Sequence, residues 1–135
     1  MNYVGLGSSS LKVSCLGLGA MSFGDKSWRG WVLDEEESRV IVRKALDHGI
    51  NFFDTCDYYS NGVSEQILAQ TLLKDAPRQK IVLATKVGMN MGPGPNDRGF
   101  SRKHMVDAVV VMRTLQDLKT PILLGRWING NKDAD

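Results

Sequence analysis

The sequence predicts an α/β fold built on a parallel sheet, and three observations carry that prediction. Two short runs, "INFFDT" from Ile50 and "KIVLATK" from Lys80, are apolar almost without a break, as strands buried on both faces are. Segments of helical period lie between and after them, so strand and helix alternate along the chain. Strands that alternate with helices in this way pair in parallel through right-handed crossovers.

The elements follow in order. "LKVSCLGL", Leu11 to Leu18, alternates loosely between "GSSS" and "GAMSFG" and predicts a strand entered from a tight turn, with "YVGLG" ahead of it as the other arm of a β-hairpin. Residues 24–33, "GDKSWRGWVL", have no clean period and predict a loop whose Trp28 and Trp31 are pinned on a core edge. Asp34 followed by Glu37 is a capping-box pattern, and Val40, Ile41, Ala45 and Leu46 recur behind it at helical spacing until Gly49 stops the helix. After the "INFFDT" strand, Ser64 and Glu65 open a second helix with Ile67, Leu68, Thr71 and Leu72 on one face, ended by "KDAPRQ". The "KIVLATK" strand leads into a Gly- and Pro-rich loop at 88–99, and Ser101 caps a third helix striped by Met105, Ala108, Val109, Met112 and Leu115. "TPILLGRW" reads as a fourth strand and "INGNKDAD" as a polar tail.

At 135 residues the chain is one ordinary domain. Its 17 basic and 15 acidic residues are mixed along the sequence, so neither nucleic acid nor a membrane surface is expected as a partner. Cys15 and Cys56 are isolated thiols without metal-ligand or disulfide spacing; no metal is expected, and a reducing, cytoplasmic setting is. No apolar run of about 18 residues predicts a membrane span, and the N-terminus has no signal-peptide pattern.

Ligands of parallel α/β architectures gather at the carboxyl ends of strands. Asp54 closes one predicted strand, Lys86 closes the next, and Tyr59 lies in the loop beyond Asp54, so all three project onto one rim. Tyrosine is a weak acid, with an ordinary pKa of about 10. A nearby ammonium favours the phenolate and eases proton donation, while a carboxylate keeps the ammonium charged and in place. Such a set suits protonation of a carbonyl oxygen while a nucleophile attacks the carbon. Taken singly, Asp54 is as readily a turn cap, Tyr59 a surface tyrosine and Lys86 a solvated lysine. "GLGAMSFG" begins like a dinucleotide fingerprint, but no helix opens after it and no third Gly falls in place.

"LKVSCLGLGAMSFG", "GINFFDTCDYYSNGVSEQIL", "IVLATKVG" and "FSRKHMVDAV", in that order, resemble the N-terminal part of the aldo-keto reductase family, closest to its bacterial and potassium-channel-β-subunit-like branch. The resemblance runs from Met1 to about Leu115. It implies a (β/α)8 barrel of the TIM type with an N-terminal hairpin, and reduction of aldehydes and ketones by NADPH. It makes Tyr59 the proton donor, Lys86 the group that stabilises its phenolate and Asp54 the partner of Lys86. Gly19, Ala20 and Met21, with Asp54, would lie beside the nicotinamide ribose; Tyr58 matches no catalytic role.

The sequence also departs from that pattern. The family carries a His at the end of its fourth strand, where "PILLGRWI" places Gly125, followed by Arg126 and Trp127. The two histidines present read otherwise: His48 as a cation at a helix C-terminus, His104 as a solvated first-turn residue. A barrel takes about 250 residues, so residues 1–115 are expected to form about half of one, and residues 116–135 a divergent segment with the fourth strand and the tail. The family's phosphate-holding loops belong to the half not supplied, which puts NADPH binding in question. An open half-barrel exposes strand edges, so a homodimer or higher homo-oligomer is expected. Two functions stay open: a truncated reductase acting on a small carbonyl compound, and a non-catalytic remnant that binds small molecules or partners.

Overall fold

The computed structural model of the chain describes residues 1–116 and 123–126. Strands β1 (Tyr3–Gly5) and β2 (Lys12–Ser14) pair antiparallel, with Val4 opposite Val13, as the expected hairpin. The single strand expected from Leu11 to Leu18 is in fact two, because the ladder stops at Ser14. The Ser14 hydroxyl donates to Leu16 O at 2.6 Å and its N–H donates to Asn51 Oδ1 at 2.7 Å, local bonds that redirect the backbone. The chain then enters a second sheet as β3 (Gly17–Gly19).

That sheet has the order β3, β4 (Phe52–Asp54), β5 (Val82–Val87), β6 (Leu123–Arg126), every pair parallel. Helices α1 (Glu35–Asp47), α2 (Val63–Asp75) and α3 (Arg102–Gln116) form the three crossovers. Strands that add one after another in chain order, always on the same side, make the wall of a barrel and not a doubly wound sheet. Trp127 and the polar tail lie outside the described residues.

The apolar strand runs are not buried equally on both faces. In β5 the side chains of Leu83, Thr85 and Val87 are buried while Val82, Ala84 and Lys86 are half-buried, and Phe53 is buried between half-buried Phe52 and Asp54. The period of two aims the first set at the helices and leaves the second on the opposite face. The core between sheet and helices joins Phe23, Val42, Phe53, Ile67, Leu68, Leu72 and Leu83.

Asp34 caps α1 as expected, exchanging hydrogen bonds with Glu37 in both directions at 3.1 Å. Its buried face, however, is Ser38, Val42 and Ala45, and Val40 is 70% exposed. The i, i+4, i+7 spacing of those three residues defines the face, and Val40 and Ile41 fall outside it. Gly49, with φ of +78°, supplies the left-handed residue that ends the helix. Helix α2 buries Ile67, Leu68, Thr71 and Leu72 as predicted, together with Ser64 and Glu65. Ser101 Oγ accepts from the His104 N–H at 3.1 Å at the start of α3. His104, expected to be solvated, is buried, because α3 packs against α2 and β5 and brings its first turn near Asp57.

Glu65 is 3% exposed and accepts a 2.6 Å hydrogen bond from the Thr85 hydroxyl. Burial pushes its pKa from 4.5 up to about 7; the Thr85 bond and the Lys86 charge oppose the rise, and the Asp57 charge adds to it. A carboxyl whose folded pKa is raised stabilises the fold fully below pH 4.5, and the contribution is lost as pH rises through about 7. Glu65→Gln keeps the acceptor for Thr85 and removes the titration. Its stability in urea is expected to match the parent at pH 4 and exceed it at pH 8 by on the order of 3 kcal/mol; parallel curves at the two pH values would contradict the assignment. Leu68→Ala, at the centre of the core, is expected to cost about 2–5 kcal/mol in the same measurement.

Candidate active site

Asp54 ends β4, Ala84 stands opposite it in β5, and Lys86 lies two residues further along the same face. The period of two therefore brings carboxylate and ammonium together at the carboxyl ends of neighbouring strands. Lys86 Nζ donates to Asp54 Oδ2 at 2.6 Å and to Thr55 O at 2.5 Å, and sits 4.9 Å from the centre of the Tyr59 ring. The three residues read from sequence onto one rim are thus within reach of one another. The Lys86 side chain is 15% exposed and that of Asp54 44%, so the carboxylate lies on the solvent side of the ammonium. Burial works to lower the Lys86 pKa, but the hydrogen bond and charge of Asp54, helped by Tyr59, outweigh it and hold the ammonium above its ordinary value.

Tyr59 is set by a turn that needs unusual backbone. Ser60 and Asn61 both have φ of +52°, and Gly62 follows at +90°. Two non-glycine residues in the left-handed region cost about 1–3 kcal/mol each, so neighbours must hold them. Buried Ser60 does this through its Oγ, which accepts from the Asp25 N–H at 2.8 Å. Gly24 lies so close that a Cβ there would stand 2.5 Å from Ser60 Cβ and Oγ, which makes glycine obligatory. Trp28 meets Tyr58 edge-on at 6.0 Å and Trp31 at 6.2 Å, so the 24–33 loop lies against the turn that carries Tyr59.

A second set of bonds ties the strand ends to α2. Ser64 Oγ donates to Ala20 O at 2.7 Å and lies 3.0 Å from Thr55 Oγ1, and the Ala20 N–H donates to Asp54 O at 2.8 Å. Ala20 is fully buried and both its backbone groups are engaged, so it links β3 to the site without presenting a side chain to the rim. Gly19, in register with Asp54, has open space where a Cβ would stand, and Met21 is exposed. Of the residues expected beside a cofactor, Gly19, Met21 and Asp54 thus leave room for one. Burial pushes the Cys56 thiol up to about 12, which removes it as a nucleophile at neutral pH.

In β6, Gly125 pairs with Lys86. No side chain is available at that level of the neighbouring strand. Sequence reasoning missed the buried polar residues behind the rim: Asp57, Thr85 and His104. Asp57 lies in a loop without period, and His104 looks like any polar residue of a first turn. The Ser64 and Glu65 pair was legible only as a helix start.

Comparison with known proteins agrees with this geometry. The aldo/keto reductase family model matches residues 15–123. Versiconal hemiacetal acetate reductase of Aspergillus parasiticus is 39% identical over 127 residues, covering 81% of this chain and 37% of the relative. The Arabidopsis thaliana "Probable voltage-gated potassium channel subunit beta" is 44% identical over 109 residues, covering 79% of this chain and 31% of its own. Among solved structures, the holo form of aldo-keto reductase AKR11C1 from Bacillus halodurans superposes with a TM-score of 0.74 at 33% identity, covering 93% of this chain and 40% of that one. The chain therefore spans roughly a third of the length of these curated relatives. A parallel sheet grown in chain order, a hairpin before it, and a Tyr, Lys and Asp gathered at its carboxyl edge are features of one lineage: this chain belongs to the aldo/keto reductase family.

Proposed function

We propose that this chain carries the reductase chemistry of its family, the NADPH-dependent reduction of aldehydes or ketones, with Tyr59 as proton donor. The observation that carries this reading is the ion pair of Lys86 with Asp54 at 2.6 Å, with the ammonium 4.9 Å from the Tyr59 ring. Asp54 holds the ammonium, the ammonium stabilises the phenolate left when Tyr59 gives up its proton, and the Tyr59 hydroxyl delivers that proton to the carbonyl oxygen. The cofactor, when bound, supplies hydride to the carbonyl carbon. Gly19 leaves space at the end of β3 and the half-exposed Asp54 carboxylate can accept from a ribose hydroxyl, which supports this rim as the site for the nicotinamide end.

A second copy of the chain is the partner that would cover the half-buried sheet face of Phe52, Ala84 and Lys86, which makes a homodimer or higher homo-oligomer part of the proposal. Two free thiols suit a reducing cytoplasm; among the described residues no helix is long and apolar enough to cross a membrane. The division into residues 1–115 and a divergent 116–135 belongs to the same reading. One observation favours the alternative of a non-catalytic binding protein: Gly125 stands opposite Lys86 where the family resemblance calls for a His.

Quenching of Trp28 and Trp31 fluorescence by NADPH separates the two. Saturation at micromolar cofactor is expected from a reductase, and none up to millimolar from the alternative. Tyr59→Phe is expected to lower aldehyde reduction by about a hundredfold or more while leaving NADPH quenching intact. Turnover unchanged in that variant would sink the proton-donor assignment.

A further inference from the structure

The chain on either side of Tyr59 is held by one loop. Ahead of the tyrosine, Tyr58 meets the Trp28 ring edge-on at 6.0 Å; behind it, Ser60 Oγ accepts from the Asp25 N–H at 2.8 Å. Both contacts come from residues 24–33, a loop braced against movement. Its base is closed by backbone bonds from the Gly24 N–H to Leu33 O at 2.8 Å and from the Leu33 N–H to Ser22 O at 2.7 Å, and buried Phe23 and Val32 anchor it. Within it, Asp25 Oδ1 accepts from the Ser27 N–H at 2.7 Å and Asp25 O from the Trp28 N–H at 2.9 Å. The residue that tethers Ser60 is therefore the one that orients Trp28.

Nearer groups do not account for this turn. The attraction between the Lys86 ammonium and the Tyr59 ring, at 4.9 Å, acts on the end of a rotatable side chain and does not fix the backbone of the next two residues. Local preference does not either. Ser60 and Asn61 both stand at φ of +52°, a region that Asn visits and Ser rarely does. Glycine would be the cheaper residue at position 60. What serine brings instead is a hydroxyl, on a residue only 2% exposed, bonded to the loop. Gly24, where a Cβ would stand 2.5 Å from Ser60 Oγ, lets the loop come close enough to make that bond.

We propose that Ser60 and Trp28 are positioning residues for Tyr59: through them the 24–33 loop grips the chain one residue to each side of the tyrosine and sets its ring over the Lys86 ammonium. The consequence for catalysis rests on Tyr59 being the proton donor; the placement itself does not. A donor displaced by about 1 Å transfers its proton more slowly while the carbonyl compound binds much as before.

Nuclear Overhauser spectra of the full chain measure the contact between the Tyr59 ring and the Lys86 ε-protons, with Tyr3, whose hydroxyl donates to Gly49 O, as internal reference. Ser60→Gly accepts the positive φ and removes the hydroxyl; it is expected to cut this cross-peak to about half or less with Tyr3 unmoved. Asn61→Gly adds the same backbone freedom and keeps the hydroxyl, so the cross-peak is expected to stay within about a fifth of the parent's. Trp28→Leu is expected to weaken it by about a third, and is the deciding variant should Ser60→Gly fail to fold. With 4-nitrobenzaldehyde and NADPH, Ser60→Gly is expected to lower kcat about tenfold with KM within about twofold. A parent without turnover whose variants lose the cross-peak supports the placement and counts against the reductase reading alone. A parent without the cross-peak, a cross-peak that survives both Ser60→Gly and Trp28→Leu or is lost equally in Asn61→Gly, or a Tyr3 signal that moves with Tyr59 overturns the placement. Turnover by the parent would in that case leave the reductase reading intact.

Discussion

A lysine ammonium that is mostly withdrawn from water has to be paired, and much of the structure around Lys86 follows from that requirement. Its Nζ is taken by Asp54 from the neighbouring strand and by the carbonyl of Thr55 just beyond it. Both partners come from the carboxyl end of β4, so the pairing works only in the parallel register that sets Asp54 opposite Ala84. A slip of one residue would turn Asp54 toward the helices and leave the ammonium unmatched. The ion pair and the sheet register thus specify each other.

The same region stores backbone strain beside this charge. Left-handed Ser60 and Asn61 turn the chain sharply between Tyr59 and α2, and the turn is held from outside by Asp25 and by the close approach of Gly24, with Trp28 edge-on to Tyr58 just before it. A residue's position here is decided by contacts with a loop some 30 residues earlier in the chain. Behind the rim, Glu65 and Thr85 join α2 to β5, while Ser64 joins it to Ala20, just past the end of β3. One face of the sheet end therefore carries the reactive set, and the other carries a buried polar layer beneath the helices.

Where local chemistry decides the conformation, the sequence was readable. The capping box at Asp34, the left-handed Gly49, the α2 face from Ile67 to Leu72 and the order of strands and helices need only nearest neighbours and periodicity. Where two periods compete or a long-range contact intervenes, it was not. Val40 and Ile41 look apolar enough for a core but lie off the face that Ser38, Val42 and Ala45 share. The strand from Leu11 was cut by a side-chain bond from Asn51, 37 residues away. His104 became a buried residue because α3 packs against α2 and β5, which no pattern in "SRKH" encodes.

The sequence by itself determined the alternation of strands and helices, the helix ends, and the placement of Asp54 and Lys86 at strand ends with Tyr59 in the loop beyond Asp54, because hydrophobic period, capping and chain order act over a few residues. Only the tertiary structure decided which faces meet: that Asp54 and Lys86 share a face at bonding distance, that Gly125 stands opposite Lys86, and that Asp57, Glu65 and His104 are buried behind the rim. Those outcomes depend on register and on loops packing across the chain, and their free energies come from burial and pairing between segments that are distant in sequence.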